Sequence, residues 1–418
     1  MNIFVAFAIF ITIAALASYV NYRFIRLPST IGLMVIGLGM SLGIIGLSAL
    51  GVDLHGPIDR LLTNISFSES LMQGMLSFLL FAGAIKININ DLAQQKFVVT
   101  VLATGGVVLT TFIVGTALYF ILPLFSMPIS YVYCLIFGAL IAPTDPVAVL
   151  SLLKTIKAPK SLETKIAGES LFNDGVGVVV FTVLIGIAYG GGEASVGDIL
   201  ILFVEEAIGG VIFGLGIGFI AFKLLKDIDE HVVEIIITLA LVCGGYALAS
   251  QLHTSGPIAI VVAGLLIGNY GRRLAMSEST RRHLDEFWEL LDEILNAILF
   301  VWIGMEVLIL SFTWDYLLFG LIAIPLTLGA RFFSVWSAIS ALKFRRQFTR
   351  NATLILTWGG LRGGISIALA LSLAASPQRD LIISITYVVV IFSILVQGLT
   401  IKNLIAKKVD PPPQESPA

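Results

Sequence analysis

The chain has 418 residues, of which 57% are hydrophobic and 12% are charged, and its net charge is −2. Soluble domains carry about 25% charged residues, so this composition excludes an ordinary soluble protein. It indicates a protein that lies largely within a membrane. No GxxxxGK[ST] phosphate-binding motif is present in the sequence, which disfavours transport driven by ATP.

Apolar stretches of about 20 residues recur along the chain, which is the length that a helix needs to cross the hydrocarbon core. They predict an all-α membrane protein with about thirteen transmembrane helices. The first stretch lacks a preceding basic segment, so we interpret it as a retained helix rather than a signal peptide. The predicted spans are 3–22, 29–50, 70–86, 97–122, 130–153, 164–190, 198–224, 231–252, 257–271, 286–310, 316–342, 351–375 and 381–405.

Basic residues are concentrated in every second predicted loop. Of the 25 Lys and Arg residues, 21 lie on one side of the membrane, and the opposite loops contain Arg60 and Arg379. Because cytoplasmic loops are enriched in Lys and Arg, this alternation predicts an odd number of spans. The N-terminus is then outside and the C-terminus is cytoplasmic, and we expect a plasma (inner) membrane location.

The third, seventh and tenth spans each raise a specific expectation. Ala82 follows a Leu-Leu-Phe run in the third span, and several glycines in the seventh span predict close helix packing. Glu286, Glu289, Asp292 and Glu293 make the start of the tenth span amphipathic. A solvated cytoplasmic funnel wall and ordinary placement at the membrane interface both explain these charges.

The fifth span contains the run Ala142-Pro143-Thr144-Asp145-Pro146. Proline has no N–H to donate, so Pro146 frees the carbonyl of Ala142 and Pro143 frees that of Ala139. Two prolines three residues apart predict a broken helix near the middle of the membrane. Freed carbonyls are tolerated there where they line a cavity inside the protein, and their oxygens suit an alkali cation. A simple proline kink is the alternative.

The sixth span supplies a carboxylate in the run from Gly168 to Gly177. At 3.6 residues per turn, Ser170 and Asp174 lie on one face, and Glu169 and Asn173 lie about 100° around the helix. The hydroxyl of Ser170 and the carboxylate of Asp174 would offer oxygen ligands along one stripe. Glu169 lies off that stripe and could pair with an arginine.

The twelfth span contains Gly359, Gly360, Gly363 and Gly364 around Arg362. Glycine weakens a helix and permits close approach of another backbone, so a second break is predicted; tight helix packing is the alternative. The fifth and twelfth spans are seven apart, which gives them corresponding positions in two oppositely oriented halves. Paired broken helices of this kind are typical of the substrate site of a secondary transporter.

Five ionisable residues therefore lie near the middle of predicted spans. Each costs about 2.5–3.5 kcal/mol if isolated at a helix centre, so the charges must pair, contact water or perform a task. A purely structural network of ion pairs is the alternative to a functional site. The five residues are Asp145, Glu169, Asp174, Arg331 and Arg362.

Three separated motifs resemble those of the monovalent cation/proton antiporters. They are Thr144-Asp145-Pro146, the run from Glu169 to Asp174, and Gly360-Leu361-Arg362-Gly363. The Asn173-Asp174 pair resembles the NhaP branch, which includes the animal sodium/proton exchangers. The resemblance covers roughly residues 3–405.

The resemblance implies a homodimer built on inverted repeats, with two crossed broken helices in a mobile core. On this basis we expect interface segments 1–94 and 229–312 and core halves 95–191 and 313–406. We assign 192–228 as the helix that links the halves, and we expect the tail 407–418 to be disordered because its end is short and Pro-rich. The expected partners are the membrane, the two transported ions and a second copy of the chain, with no nucleic acid.

The resemblance also implies roles for site residues. Asp174 matches the aspartate that binds the cation or the proton, and Ser170 and the carbonyl of Thr144 match further Na⁺ ligands. Asp145 and Asn173 match residues beside the ion. The resemblance further implies that Glu169 pairs with an arginine, for which we select Arg331, and that Arg362 braces the second break through Asp145. Relatives often carry an acidic residue where Ala82 stands, which leaves the preference for Na⁺ over K⁺ open.

Together these residues predict an antiporter and not an enzyme. We expect exchange of Na⁺ or Li⁺ for H⁺, electroneutral and one for one, with K⁺/H⁺ exchange as the alternative. A cation channel is disfavoured because no filter-like repeat is present. An intramembrane aspartyl protease would require Asp145 and Asp174 as an acid/base pair, which the flanking prolines fit poorly.

Cofactors and a disulfide framework are not expected. Cys134 and Cys243 both lie in predicted spans far apart in sequence, and we interpret them as small buried hydrophobic residues. The four histidines are scattered near span ends and do not suggest a metal site.

Overall fold

The computed structural model describes residues 3–50, 74–125, 127–155, 160–190, 196–308, 313–344, 348 and 351–408. The described chain is helical, and its β-type pairing is a single backbone bridge between Asp145 and Leu361. Nine helices in these ranges are long and apolar enough to cross a membrane, and shorter apolar helices accompany them. The predicted all-α membrane protein is confirmed.

A described helix corresponds to every predicted span, and α1 to α13 are numbered by those spans. The fifth and twelfth are each divided into two short helices, a and b. The first seven are α1 Ile3–Val20, α2 Ser29–Ala49, α3 Leu76–Lys86, α4 Ile89–Thr100 with its continuation Gly106–Ile121, α5a Tyr131–Ile141, α5b Val147–Thr155, α6 Lys160–Tyr189 and α7 Val196–Lys226.

The second part of the chain continues the bundle. Pro325 lies inside the helix Trp314–Leu342 without dividing it. The helices are α8 His231–Gln251, α9 Gly256–Leu266, α10 Glu278–Glu306, α11 Trp314–Leu342, α12a Ala352–Trp358, α12b Gly364–Leu371 and α13 Pro377–Phe392 with its continuation Gly398–Lys408.

Two helices begin eight residues before their predicted starts. The Asn88 side chain accepts from the N–H of Asn90 at 2.8 Å and so caps α4, and Ser277 caps α10 by accepting from Thr280 at 3.3 Å. Such caps satisfy N–H groups that have no partner within the helix. The first turns of both helices are polar, so a prediction from apolar stretches places the start of each helix too late.

Glycine contacts set the distance between α7 and α9. A Cβ on Gly214 would lie 2.4 Å from the carbonyl oxygen of Ala259, and one on Gly210 would lie 2.8 Å from that of Ser255. The close packing predicted for the seventh span is therefore present. Gly216 differs, because a Cβ there would meet nothing within 4 Å.

The inner half of α10 is embedded against α2. The hydroxyl of Ser41 donates to the carbonyl of Gly304 at 2.7 Å, and a Cβ on Gly304 would lie 2.7 Å from the backbone nitrogen of Leu38. Residues 298–306 of α10 are all buried. The helix thus has a charged first half and an enclosed second half.

Two expectations are wrong at single residues. Cys134 is buried, but Cys243 is exposed on the outer surface of α8, because span membership does not fix which face a residue occupies. The expected tail 407–418 is helical at residues 407 and 408, since the last helix extends to Lys408. Residues 409–418 and Arg60 lie outside the described residues.

Candidate cation-binding site

The two broken helices cross at their breaks. The backbone N–H of Asp145 donates to the carbonyl of Leu361 at 2.8 Å, which joins the gap between α5a and α5b to the gap between α12a and α12b. The Asp145 carboxylate accepts from the N–H of Val147 at 2.9 Å and caps α5b. Gly363 makes the crossing possible, because a Cβ on it would lie 2.4 Å from the Asp145 carboxylate.

Arg362 braces the first break, but through backbone and not through Asp145. Its guanidinium donates to the carbonyls of Ala142 and Pro143, the latter at 2.9 Å. Pro146 removes the usual donor for the Ala142 carbonyl, so this oxygen is the natural acceptor for a buried arginine. The expected Arg362–Asp145 contact is therefore wrong, and the freed Ala142 carbonyl is already hydrogen-bonded rather than exposed.

Thr144 joins the first break to α6. Its hydroxyl lies 2.9 Å from that of Ser170 and accepts from the Asn173 amide at 2.8 Å. Its backbone N–H also donates to the Asn173 side-chain oxygen at 3.3 Å. Asn173 thus bonds Thr144 at both ends of its amide, so its observed contacts fix the break. A hydroxyl has two acceptor positions, which leaves capacity on Ser170.

Asp174 lies on the same helix, one turn from Ser170. It is 8% exposed, and within the described ranges its carboxylate has no hydrogen-bond or salt-bridge partner. An ionised carboxylate in such a place is costly unless a cation or a proton neutralises it. The arrangement therefore places an unpaired carboxylate one turn along α6 from the Ser170 hydroxyl, in the cavity that Thr144 also lines.

The second buried arginine is used elsewhere on α6. The Arg331 guanidinium donates to the Glu169 carboxylate, and both side chains are at most 5% exposed. Arg331 also donates to the carbonyl of Leu356 at 3.2 Å, near the end of α12a. The geometry therefore contains the pair that the resemblance implied, and it links α6, α11 and α12a.

A cavity of about 1370 Å³ connects this site to one side of the bundle. Its lining includes Asp174, Asp145 and Thr144 together with the charged ends of several helices. Seven acidic and four basic side chains line it, which makes it attractive to cations. The basic residues are Arg23, Arg26, Lys86 and Lys160, all on the side predicted to be cytoplasmic.

The first half of α10 forms a wall of this cavity. Glu289, Asp292 and Glu293 are among its lining residues, whereas Glu286 is not. The funnel-wall alternative therefore fits three of the four charges. Ala82 is buried and does not line the cavity; Leu79, Leu80 and Gly83 do so from α3.

Sequence analysis missed buried carboxylates near the span ends. Glu306 is 6% exposed and accepts from the indole N–H of Trp302 at 3.0 Å. Glu234 is fully buried and accepts from the Thr280 hydroxyl at 3.4 Å. Neither lies near the middle of its predicted span, so the criterion that selected Asp174 passed over them.

A bundle with two crossed broken helices and a buried carboxylate at the crossing defines a membrane transporter of the sodium/proton antiporter fold. The solved structure of the sodium proton antiporter MjNhaP1 from Methanocaldococcus jannaschii at pH 8 has a similar fold, with a TM-score of 0.74. That match covers 98% of this chain and 99% of the other, at 20% identity.

The sequence comparisons establish the family. The model described as "Sodium/hydrogen exchanger, transmembrane" matches residues 11–407, so the chain belongs to this family. It is 51% identical over 405 residues to Na(+)/H(+) antiporter NhaP of Pseudomonas aeruginosa, covering 96% of both chains. It is 33% identical over 414 residues to Na(+)/H(+) antiporter NhaH of Halobacillus dabanensis, covering 97% of both. The resemblance to the NhaP branch is confirmed, and the family is one of membrane transporters rather than enzymes.

Proposed function

We propose that this protein exchanges Na⁺ or Li⁺ for H⁺ across the membrane, one for one, at Asp174. The observation that carries the proposal is the buried Asp174 carboxylate, which has no partner among the described residues and lines a cavity rich in acidic side chains. Relatives that match nearly the whole chain carry the name Na(+)/H(+) antiporter, which supports the choice of ions.

Competition for one carboxylate supplies the coupling. Burial favours the protonated form of a carboxylate, and a bound cation favours the ionised form, so the two ligands exclude each other. Enclosing an empty, charged site in the protein interior is costly. The conformational change that exposes the site to the other side of the membrane therefore takes place with a cation or a proton bound. Each half-cycle then carries either a cation or a proton.

The neutral side chain of Asn173 makes the exchange electroneutral in this scheme. Asp174 with Na⁺ and Asp174 with H⁺ have the same net charge, and the nearby Glu169 charge is compensated by Arg331. The two loaded states therefore respond equally to a membrane potential. Exchange of K⁺ for H⁺ by the same mechanism is the alternative, because the ligand set of hydroxyl and carboxylate oxygens suits both alkali cations.

Alternating access requires that part of the bundle moves. We assign the movement to the core halves 95–191 and 313–406, which contain the crossing, against the interface segments 1–94 and 229–312. A second copy of the chain would hold the interface segments fixed in a homodimer. We place the N-terminus outside and the C-terminus in the cytoplasm, as the alternation of basic loops predicts, and the cavity would then open to the cytoplasm in this conformation.

Proton flux in proteoliposomes tests the proposal. An imposed pH gradient is followed while Na⁺, Li⁺ and K⁺ are added in turn to wild type, Asp174→Ala and the control Asp227→Ala, whose side chain is exposed after α7. We expect Na⁺- or Li⁺-dependent proton release in wild type and the control, and none in Asp174→Ala. Proton release in response to K⁺ alone would show that K⁺ is the exchanged cation. The absence of cation-coupled proton flux in wild type would refute antiport.

Voltage provides the test of stoichiometry. Rates are compared with and without a potassium diffusion potential imposed by valinomycin, with Na⁺ as the exchanged ion. Equal initial rates are expected. A strong dependence on the imposed voltage would rule out one-for-one exchange.

A further inference from the structure

A second ion pair lines this cavity, between Lys86 at the end of α3 and Asp292 of α10. The Lys86 ammonium lies 3.3 Å from the Asp292 carboxylate, and the side chains are 37% and 24% exposed. Asn296 holds the other carboxylate oxygen of Asp292 through its amide at 2.9 Å. All three residues line the same cavity as Asp174.

The position of Asp292 relates it to the transport site. Asp292 and Asp145, which lies at the first break, both line this cavity. Asp292 is part of α10, whereas Asp174 is part of α6, so different helices present the two carboxylates to one cavity. A cation that enters from the open side meets the charged half of α10 and Asp174 within the same space.

A purely structural role explains this pair poorly. Ion pairs that remain partly exposed stabilise a protein by about 0–1 kcal/mol, so this contact contributes little to the fold. The same weakness makes it exchangeable, because an entering monovalent cation can replace one ammonium group on a carboxylate. The Lys86 ammonium is itself a monovalent cation at this position, held on a side chain.

We propose that Asp292 is a second cation-binding carboxylate, which takes the monovalent cation from the cavity before Asp174 does. When no cation is bound, the Lys86 ammonium pairs with the Asp292 carboxylate. The entering cation replaces the ammonium at that carboxylate. Asn296 fixes the carboxylate so that it faces the cavity. This inference rests on the proposed function and adds a residue that sets the apparent affinity for the cation.

Transport kinetics at constant ionic strength, maintained with choline, test the inference. We expect Asp292→Asn to raise the KM for Na⁺ about fivefold with unchanged maximal rate, and Lys86→Met to lower the KM about twofold. Glu286→Gln is the matched control, since Glu286 is an exposed acid on the same helix that does not line the cavity. Its KM should equal that of wild type.

The double variant separates direct binding from a general electric field. If Lys86 acts by occupying Asp292, then Lys86→Met with Asp292→Asn should have the KM of Asp292→Asn alone. If the two charges acted only through their electric field, the effects of the two substitutions on KM would add, and the KM of the double variant would return toward the wild-type value. That result would overturn the inference.

Other outcomes are equally decisive. Asp292→Asn with the KM of Glu286→Gln would refute the role of Asp292 while leaving antiport at Asp174 intact. If Asp292→Asn does not fold, an unchanged KM in Lys86→Met refutes the inference. Failure of the proposed function is distinct, because it would abolish cation-coupled proton flux in wild type itself.

Discussion

Replacing Arg331 by methionine should destabilise the protein strongly. The substitution leaves the Glu169 carboxylate buried and unpaired, and it also removes the donor to the Leu356 carbonyl. Breaking a buried ion pair on one side costs about 3–5 kcal/mol, and an unsatisfied buried carbonyl adds about 1–3 kcal/mol.

The matched variant Glu169→Gln removes the other half of the pair. It leaves the Arg331 guanidinium buried without its carboxylate partner, so it should also be strongly destabilised. The double variant Glu169→Gln with Arg331→Met contains neither charge and should be more stable than either single variant.

Thermal unfolding in detergent, measured by size-exclusion chromatography after heating, compares the three variants with wild type. A double variant as destabilised as Arg331→Met would refute the argument that an uncompensated carboxylate causes the loss. A double variant as destabilised as Glu169→Gln would refute the same argument for the guanidinium.

Two further substitutions test contacts away from the charges, each with a control of the same chemistry. Gly214→Ala should lower the melting temperature, because its Cβ would overlap a carbonyl oxygen of α9 at a cost of about 1–3 kcal/mol, whereas Gly216→Ala meets nothing and should be neutral or stabilising. Ser393→Ala removes the acceptor for the buried N–H of Arg362 and should cost about 1–3 kcal/mol; Ser384→Ala, whose hydroxyl bonds within its own helix, should cost less. Equal melting temperatures within either pair would contradict the corresponding contact.

The sequence predicts the helices and both breaks because the responsible forces are local. Apolar length selects the spans, and Pro143, Pro146 and the glycines around Arg362 remove local helix stability at fixed positions. The alternation of basic loops also places the four basic cavity residues on one side of the membrane. These features depend on short segments, and a single sequence contains them.

Side-chain contacts between helices that are distant in sequence are harder to predict from the sequence. The resemblance implies a contact between Arg362 and Asp145, but Arg362 instead donates to the carbonyls of Ala142 and Pro143 at the first break. Cys243 shows the same limit, since span membership does not decide between the lipid-facing and buried faces of α8. Such choices depend on how the helices rotate against one another, which is decided by packing over the whole bundle.

The contacts of the two buried arginines explain how Asp174 can remain unpaired in a site that holds five ionisable residues. Arg331 is bound by Glu169 and the Leu356 carbonyl, and Arg362 is bound by the carbonyls at the first break. Each guanidinium is thereby held away from Asp174 by oxygen atoms that the helix breaks and α6 provide. A carboxylate kept without an internal cation in this way is open to a proton or an alkali cation from the cavity, which is what the proposed exchange requires.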